Sequence, residues 1–158
     1  MFYPKVSGII ATDRAGHIIG PDDKPIMHGT EHEDLDRSIF AEYLNGHVRE
    51  SSRSVIVTGA NNFDAMGSFI TSKFQNYVIS DSEGVRLSDG KSFDPSQLLA
   101  ASFALAFRTK ATIFVLGGKT VYETFQTHYS HFVHVECMRM IEGASKKVNV
   151  YHGALDHS

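Results

Sequence analysis

The chain has 158 residues, of which 42% are hydrophobic and 21% charged, and its formal net charge is -3. This length and composition predict one globular domain spanning residues 1–158. The small negative charge and the absence of a basic stripe argue against a nucleic-acid partner. No apolar run approaches the length of a membrane span, so we expect no membrane partner.

Cysteine content bears on the cellular compartment. Cys137 is the single cysteine, which excludes an internal disulfide and is typical of a reducing cytosol. The first residues lack the basic start and apolar core of a signal peptide. We therefore expect a cytoplasmic protein, and the sequence leaves open whether it is a monomer or a homodimer.

Strands and helices alternate in the first half of the chain. Thr30 is a candidate N-cap, with Glu33 as its capping-box partner, for a helix that we expect to end near Asn45 and Gly46. The remaining predictions here are strands at residues 5–12, 54–58 and 76–80, a turn at 13–20, a loop at 21–29 and a short helix from residue 63.

The second half continues the alternation. We expect a loop at residues 81–95 with a small strand at 85–87, helices at 96–109 and 119–125, and strands at 113–116, 131–137 and 147–151. Alternating strands and helices predict an α/β fold, with a mainly parallel central sheet flanked by helices.

Two glycine turns follow predicted strands. Gly59 comes directly after SVIVT, and Gly117 and Gly118 come directly after IFVL. Ligands of parallel sheets lie at the carboxyl ends of the strands, and glycine allows the backbone to approach a pyrophosphate closely. A helix that follows such a turn directs its N–H groups at phosphates. These turns predict a nucleotide-type ligand.

Four segments resemble dihydrofolate reductase and its relatives, which include the pyrimidine reductases of riboflavin synthesis. They are GIIATDRAGHIIG, DRSIFAEYL, VIVTGANNF and FVLGGKTVYETF, the last being the most specific. The resemblance covers residues 5–136 and implies a dihydrofolate reductase-like fold. It also implies an NADPH-dependent oxidoreductase of folate and one-carbon metabolism. Such an enzyme reduces a C=N bond of dihydrofolate or of a related small heterocycle, which is a pterin or a pyrimidine.

The resemblance also implies site residues. Ile10, Ala11, Ile19 and Gly20 would bound the nicotinamide pocket, with Ile10 and Ala11 on its substrate side, and Phe40 would pack against the substrate ring. The pyrophosphate and nicotinamide side would be formed by Gly117, Gly118, Lys119, Thr120, Val121 and Tyr122. The adenosine phosphate side would be formed by Gly59, Ala60, Asn61 and Asn62, with Ser80 near the adenine ribose.

Reduction of a C=N bond needs a proton at nitrogen as well as a hydride at carbon. A carboxylate in an apolar pocket can hold the ring's N–H groups and assist protonation, because burial raises the pKa of a carboxyl group. Asp36 is our candidate, since it precedes Phe40 by four residues as the family pattern requires. The nearby acids Glu31, Glu33 and Asp34 remain alternatives, and all four acids also suit the start of a helix.

The chain departs from the family pattern at several positions. Ala60 stands where the family has a basic residue that pairs with the 2′-phosphate of NADPH, with Arg53 and Lys73 as possible substitutes, so NADH is not excluded. Ile26, not Trp, follows Pro25. Only residues 138–158 follow the strand near Cys137, which predicts a shortened C-terminal sheet edge. These departures leave a second hypothesis, a catalytically inactive binding or structural protein of the same fold.

Nine histidines raise the question of a metal site. His28 and His32 are four residues apart, but Gly29 between them disfavours the helix that a zinc site of this spacing uses. The histidines at 128, 131 and 134 are expected at the surface. We therefore predict no metal.

Overall fold

The five parallel strands of this protein form where β-branched and aromatic residues cluster. The computed structural model describes residues 3–21, 26–27, 29–31, 33–51, 54–64, 76–137 and 139–148. The strands are β1 (Val6–Thr12), β2 (His17–Ile19), β3 (Ser54–Gly59), β4 (Tyr77–Asp81), β5 (Gly84–Leu87), β6 (Ser92–Phe93), β7 (Thr112–Gly117), β8 (His131–Glu136) and β9 (Ser145–Lys147). The helices are α1 (Glu33–Ser51), α2 (Leu98–Thr109) and α3 (Lys119–Thr124), and residues 60–64 are also helical.

Seven of these strands form one sheet in the order β6-β5-β4-β3-β7-β1-β8. Five neighbouring strands of this sheet, β4, β3, β7, β1 and β8, are parallel to one another. β5 and β6 pair with their neighbours in antiparallel fashion. β2 and β9 form a separate antiparallel pair. The predicted α/β domain, with a mostly parallel central sheet flanked by helices, is confirmed. None of the described helices is long and apolar enough to cross a membrane.

Alternating side chains of the central strands supply a core on each face of the sheet. On one face, Val55 and Val57 belong to a buried cluster that includes Leu105 of α2 and Phe125 after α3. On the other face, Ile9, Ile56 and Phe114 pack with α1 through Ile39, Phe40 and Tyr43. The helices therefore cover both faces, as a parallel sheet requires.

Several predicted boundaries are wrong. α1 continues past Gly46 to Ser51, since a glycine inside a helix costs only about 1 kcal/mol relative to alanine and does not by itself end it. β2 lies in the predicted turn and β6 in the predicted loop. The last strand occupies Ser145–Lys147 rather than 147–151, and residues 149–151 lie outside the described residues.

The predicted C-terminal shortening concerns the sheet edge at β8. In the described part of the chain β8 is the last strand on this side, and it pairs with β1 through six residues from Ser7 to Thr12. The following segment turns away and reaches β2 instead, where Ser145 pairs with Ile19. Residues 149–158, which decide whether another strand follows, lie outside the described residues.

Candidate functional site

A pocket of about 560 Å³ opens at the carboxyl ends of β1, β7, β3 and β4. This edge is where parallel sheets bind ligands, and the volume falls within the range of small-molecule and cofactor pockets. Most of the residues that the resemblance implied line it together. They are Ala11, Ile19, Asp36, Phe40, Gly59, Ala60, Asn61, Asn62, Ser80, Gly118, Lys119, Thr120, Val121 and Tyr122.

Three of the implied residues do not line the pocket. Ile10 is buried with 6% exposure and belongs to the core cluster on the α2 face of the sheet. Gly117 is buried behind the Tyr122 ring. Gly20 follows β2 and is also absent from the lining. The proposed substitutes for a basic residue at position 60, Arg53 and Lys73, lie outside the described residues.

The two glycine turns meet at the centre of the pocket. A Cβ atom added at Gly59 would lie 3.5 Å from the backbone nitrogen of Gly118. Thr58 donates its hydroxyl proton to the Gly117 carbonyl oxygen at 3.1 Å. The Asn62 amide donates to the Leu116 carbonyl oxygen and to Thr58 Oγ1, both at 2.9 Å. Side chains of β3 and of the helical segment after it therefore hold the end of β7 in place.

Gly117 and Gly118 differ in what surrounds them. Gly117 has a φ of +98°, and a Cβ there would lie 2.4 Å from the Tyr122 ring, so only glycine fits. Gly118 has a φ of -84°, and an added Cβ would meet nothing within 4 Å. The peptide bond between them is cis. Gly118 thus exposes bare backbone to the open space of the pocket.

Tyr122 closes the base of the pocket. Its hydroxyl lies 2.8 Å from the Ile9 carbonyl oxygen and 3.0 Å from that of Leu116, so its proton is shared between two backbone acceptors. The pKa of Tyr122 is raised well above its ordinary value. Burial of the hydroxyl is the main cause, and electrostatic repulsion from Tyr129 and from the Asp36 carboxylate adds to it. Tyr122 therefore acts as a neutral strut that joins β1 to β7.

The structure separates the four candidate acids. Asp36 and Glu33 line the pocket, and Oδ1 of the half-buried Asp36 is shielded from solvent. Glu33 accepts a hydrogen bond from the Gly29 backbone N–H at 3.3 Å. Glu31 is exposed and forms an ion pair with Arg139, and Asp34 is exposed outside the pocket. Of the two acids that line the pocket, Asp36 is the one with a carboxylate oxygen shielded from solvent.

The pocket also contains residues that the sequence did not point to. Ile26 and Met27, which are 2% and 4% exposed, form its apolar wall together with Ile18. Lys146 of β9 reaches the pocket through the β2–β9 pair, a contact between distant segments that has no local sequence signal. The others are Asp81, Ser82, Pro95 and Leu116. Asp81 and Ser82 directly follow Ser80, so the strand-end rule that selected Ser80 could have found them.

A metal centre does not emerge from the described part of the chain. Its histidine, cysteine and acidic side chains include no group of three that could hold a metal ion. His28 and His32, the pair considered from the sequence, lie outside the described residues. His134 instead contacts the Thr12 hydroxyl at 2.7 Å, and His131 stacks on Tyr43.

Comparison with known proteins gives no family assignment. No protein-family model and no curated protein matches this chain.

Proposed function

We propose that this protein is a reductase of the dihydrofolate reductase type, which uses NADPH or NADH to reduce a C=N bond of dihydrofolate or a related pterin or pyrimidine. One observation carries the proposal. A carboxylate, Asp36, and an open glycine backbone, Gly118, line the same pocket at the carboxyl ends of a parallel sheet. The first can assist protonation of a ring nitrogen, and the second can lie against a nucleotide phosphate.

The pocket suits an extended dinucleotide. The four strand ends at which it opens, those of β1, β7, β3 and β4, together span roughly 14 Å at the usual spacing between strands. A side chain at Gly118 would project into open space, so that glycine leaves room for a pyrophosphate next to the backbone. Gly59, Gly118 and the exposed Lys119 would hold the phosphates, with Lys119 supplying positive charge. When bound, NADPH or NADH supplies the hydride.

The protein's part in the reaction would lie with Asp36 and the apolar wall. The Asp36 carboxylate would accept hydrogen bonds from the amino and N–H groups of the substrate ring, fixing its orientation. It would also support delivery of a proton to the ring nitrogen as hydride reaches the adjacent carbon. Ile26, Met27 and Phe40 would exclude water and present an apolar surface to the ring.

The alternative, a binding protein without catalysis, predicts a filled cleft. In a filled cleft, apolar side chains such as those of Ile26 and Met27 would occupy the space beside Asp36 and Gly118. They lie in the wall of the pocket and leave a volume of about 560 Å³ open beside Asp36 and Gly118. This open space favours the reductase.

The proposal is tested by following the absorbance of reduced nicotinamide with dihydrofolate, a pterin or a pyrimidine as acceptor. We expect Asp36→Asn to lower kcat/KM by about 10²- to 10⁴-fold, the usual contribution of a general acid or base, with unchanged nucleotide binding. Asp34→Asn, an exposed position on the same helix, is the matched control and should leave turnover intact. Equal turnover of Asp36→Asn and wild type would exclude the role of Asp36. Nucleotide binding without turnover of any acceptor would favour the binding protein.

A further inference from the structure

The two ends of the pocket differ in their chemistry. Asp36, from α1, lies on the side of β1, whereas the other end is formed where β4 finishes. At that end the lining residues within the described part of the chain are Ala60, Asn61, Ser80, Asp81 and Ser82. Among these, Asp81 alone carries a formal charge. A dinucleotide that extends across the strand ends, with its reactive ring near Asp36, would place its other half here.

The position of Asp81 matches a general device of nucleotide-binding sheets. It ends β4, the parallel strand next to β3, and follows the Gly59 turn by about 20 residues. In dinucleotide-binding sheets with the G-x-G-x-x-G fingerprint, an acid about 20 residues after the first glycine accepts hydrogen bonds from the adenosine ribose. The turn after β3 has only the first of these glycines, but it shares the strand–turn–helix arrangement and the distance to the acid. The spacing and strand position of Asp81 are independent of Asp36 and of the Gly117–Gly118 turn.

The Asp81 carboxylate is held in place by three contacts and can accept a further hydrogen bond. Oδ1 accepts the backbone N–H groups of Glu83 and Gly84, both at 2.9 Å. Oδ2 lies 2.8 Å from Nε of Arg86, and the Asp81 side chain is 17% exposed. A carboxylate accepts at about four lone-pair positions, so these three contacts leave one for a ribose hydroxyl.

The same end of the pocket is poorly suited to a 2′-phosphate. Such a group would bring two negative charges beside Asp81, and like charges in contact disfavour binding. The lysines in the described lining, Lys119 and Lys146, belong to α3 and β9, on the side of β7 and β1. Arg86 is bound to Asp81 and does not line the pocket.

We infer that the site selects NADH over NADPH, with Asp81 as the residue that determines this specificity through the ribose hydroxyls. This inference rests on the proposed function, since it concerns the nucleotide that the same pocket would take. It names a preference that the glycine turns alone leave open, because the two nucleotides share their pyrophosphate and nicotinamide.

The test is a fluorescence titration of NADH and NADPH, which differ only in the 2′-phosphate. We expect wild type to bind NADH at least about tenfold more tightly than NADPH. Asp81→Asn removes the charge but keeps an oxygen for the Glu83 and Gly84 N–H groups, and it should reduce that ratio at least about fivefold. Asp89→Asn is the matched control, since the exposed Asp89 accepts the Lys91 N–H in a similar turn outside the pocket and should leave the ratio unchanged.

Three outcomes would overturn the inference, and the first depends on no variant. Equal affinities of wild type for both nucleotides would exclude selection by Asp81. Tighter binding of NADPH, lost in Arg86→Gln, would assign this end to a 2′-phosphate held by Arg86. No binding of either nucleotide to folded protein would overturn the proposed function and this inference with it. The first two results would leave the reductase proposal in place, which distinguishes the failures.

Discussion

At the scale of single residues, Gly117 and Gly118 are adjacent yet should respond differently to substitution. A Cβ at Gly117 would overlap the Tyr122 ring and require an L side chain at a φ of +98°. We therefore expect Gly117→Ala to lower the free energy of unfolding by about 1–3 kcal/mol. Gly118→Val, which meets open space, should change it by less than about 1 kcal/mol.

Urea denaturation of both variants measures this difference. Equal losses of stability in Gly117→Ala and Gly118→Val would contradict the distinct surroundings of the two glycines. A large loss in Gly118→Val alone would mean that its backbone, rather than the pocket, requires glycine.

Asp13 should make the stability of the folded protein depend on pH. It is fully buried in the β1–β2 connection and accepts hydrogen bonds from the backbone N–H groups of Ala15, His17 and Ile141. Burial raises its pKa, but the hydrogen bonds from His17 and Ile141 and the charge of His17 together outweigh this, so the pKa of Asp13 is lowered. A folded pKa below the unfolded value of about 3.9 means that the folded state binds fewer protons. The stabilisation is therefore present above about pH 4 and disappears as the pH falls through the folded pKa.

We expect Asp13→Asn to be less stable than wild type at pH 6–7, because the asparagine amide cannot replace a carboxylate that accepts from several donors. The difference in free energy of unfolding should shrink as the pH is lowered from 5 towards 2. Urea denaturation at a series of pH values measures it. A difference that stays constant over this range would contradict a lowered pKa for Asp13.

At the scale of secondary-structure elements, Thr58 joins the ends of β3 and β7. Its hydroxyl donates to the Gly117 carbonyl oxygen and accepts from the Asn62 amide. Thr58→Val keeps the shape but removes both bonds in a buried setting, so we expect a loss of about 1–3 kcal/mol in stability. It should also weaken nucleotide binding, since both glycine turns lose a common support.

Thr112→Val, at the opposite end of β7, is the matched control. Thr112 pairs with Ser54 at the amino ends of the two strands, far from the pocket. Denaturation and NADH titration of both variants provide the comparison. If Thr58→Val bound NADH as tightly as Thr112→Val does, the coupling between the two turns would be absent.

Elements with strong local signals could be predicted from the sequence. The apolar runs of β3 and β7 are buried strands followed by helical residues, because β-branched clusters and glycine turns act locally. The start of the helix after β3 was predicted wrongly, at residue 63, whereas it begins at residue 60. β2 and β9 could not be predicted in this way. They are three-residue strands that, within the described residues, form a ladder with each other and with no other strand, and His17 pairs with Lys147 across most of the chain.

The candidate site shows the same division. Glycines at strand ends indicated the pocket floor at Gly59 and Gly118, since their position follows from the strands before them. Ile26, Met27 and Lys146 were not indicated, because tertiary contacts of the β1–β2 region and the C-terminal segment bring them to the pocket. The four-residue spacing between Asp36 and Phe40, which matches the family pattern, made Asp36 the candidate acid. The neighbouring acids remained alternatives, because acidic residues are also common at the start of a helix.

At the scale of the whole molecule, the order of strands in the sheet explains why one pocket contains both the Asp36 carboxylate and the turn at Gly118. β1 lies between β7 and β8, and α1 packs on the face of the sheet formed by Ile9, Ile56 and Phe114. This places an α1 carboxylate, Asp36, beside a turn that is more than 80 positions away in sequence at Gly118. The proposed reductase depends on this arrangement, since neither the turn nor the acid is sufficient by itself.

The most direct test of the account is an equilibrium titration of NADH into wild type and Gly118→Val, with the fold of both confirmed by circular dichroism. Wild type should bind NADH saturably. In Gly118→Val, binding should be lost, because the valine side chain would occupy the space beside the turn where the account places the pyrophosphate. Equal binding by the two proteins, or no binding by folded wild type, would contradict the assignment of this pocket to a nicotinamide nucleotide.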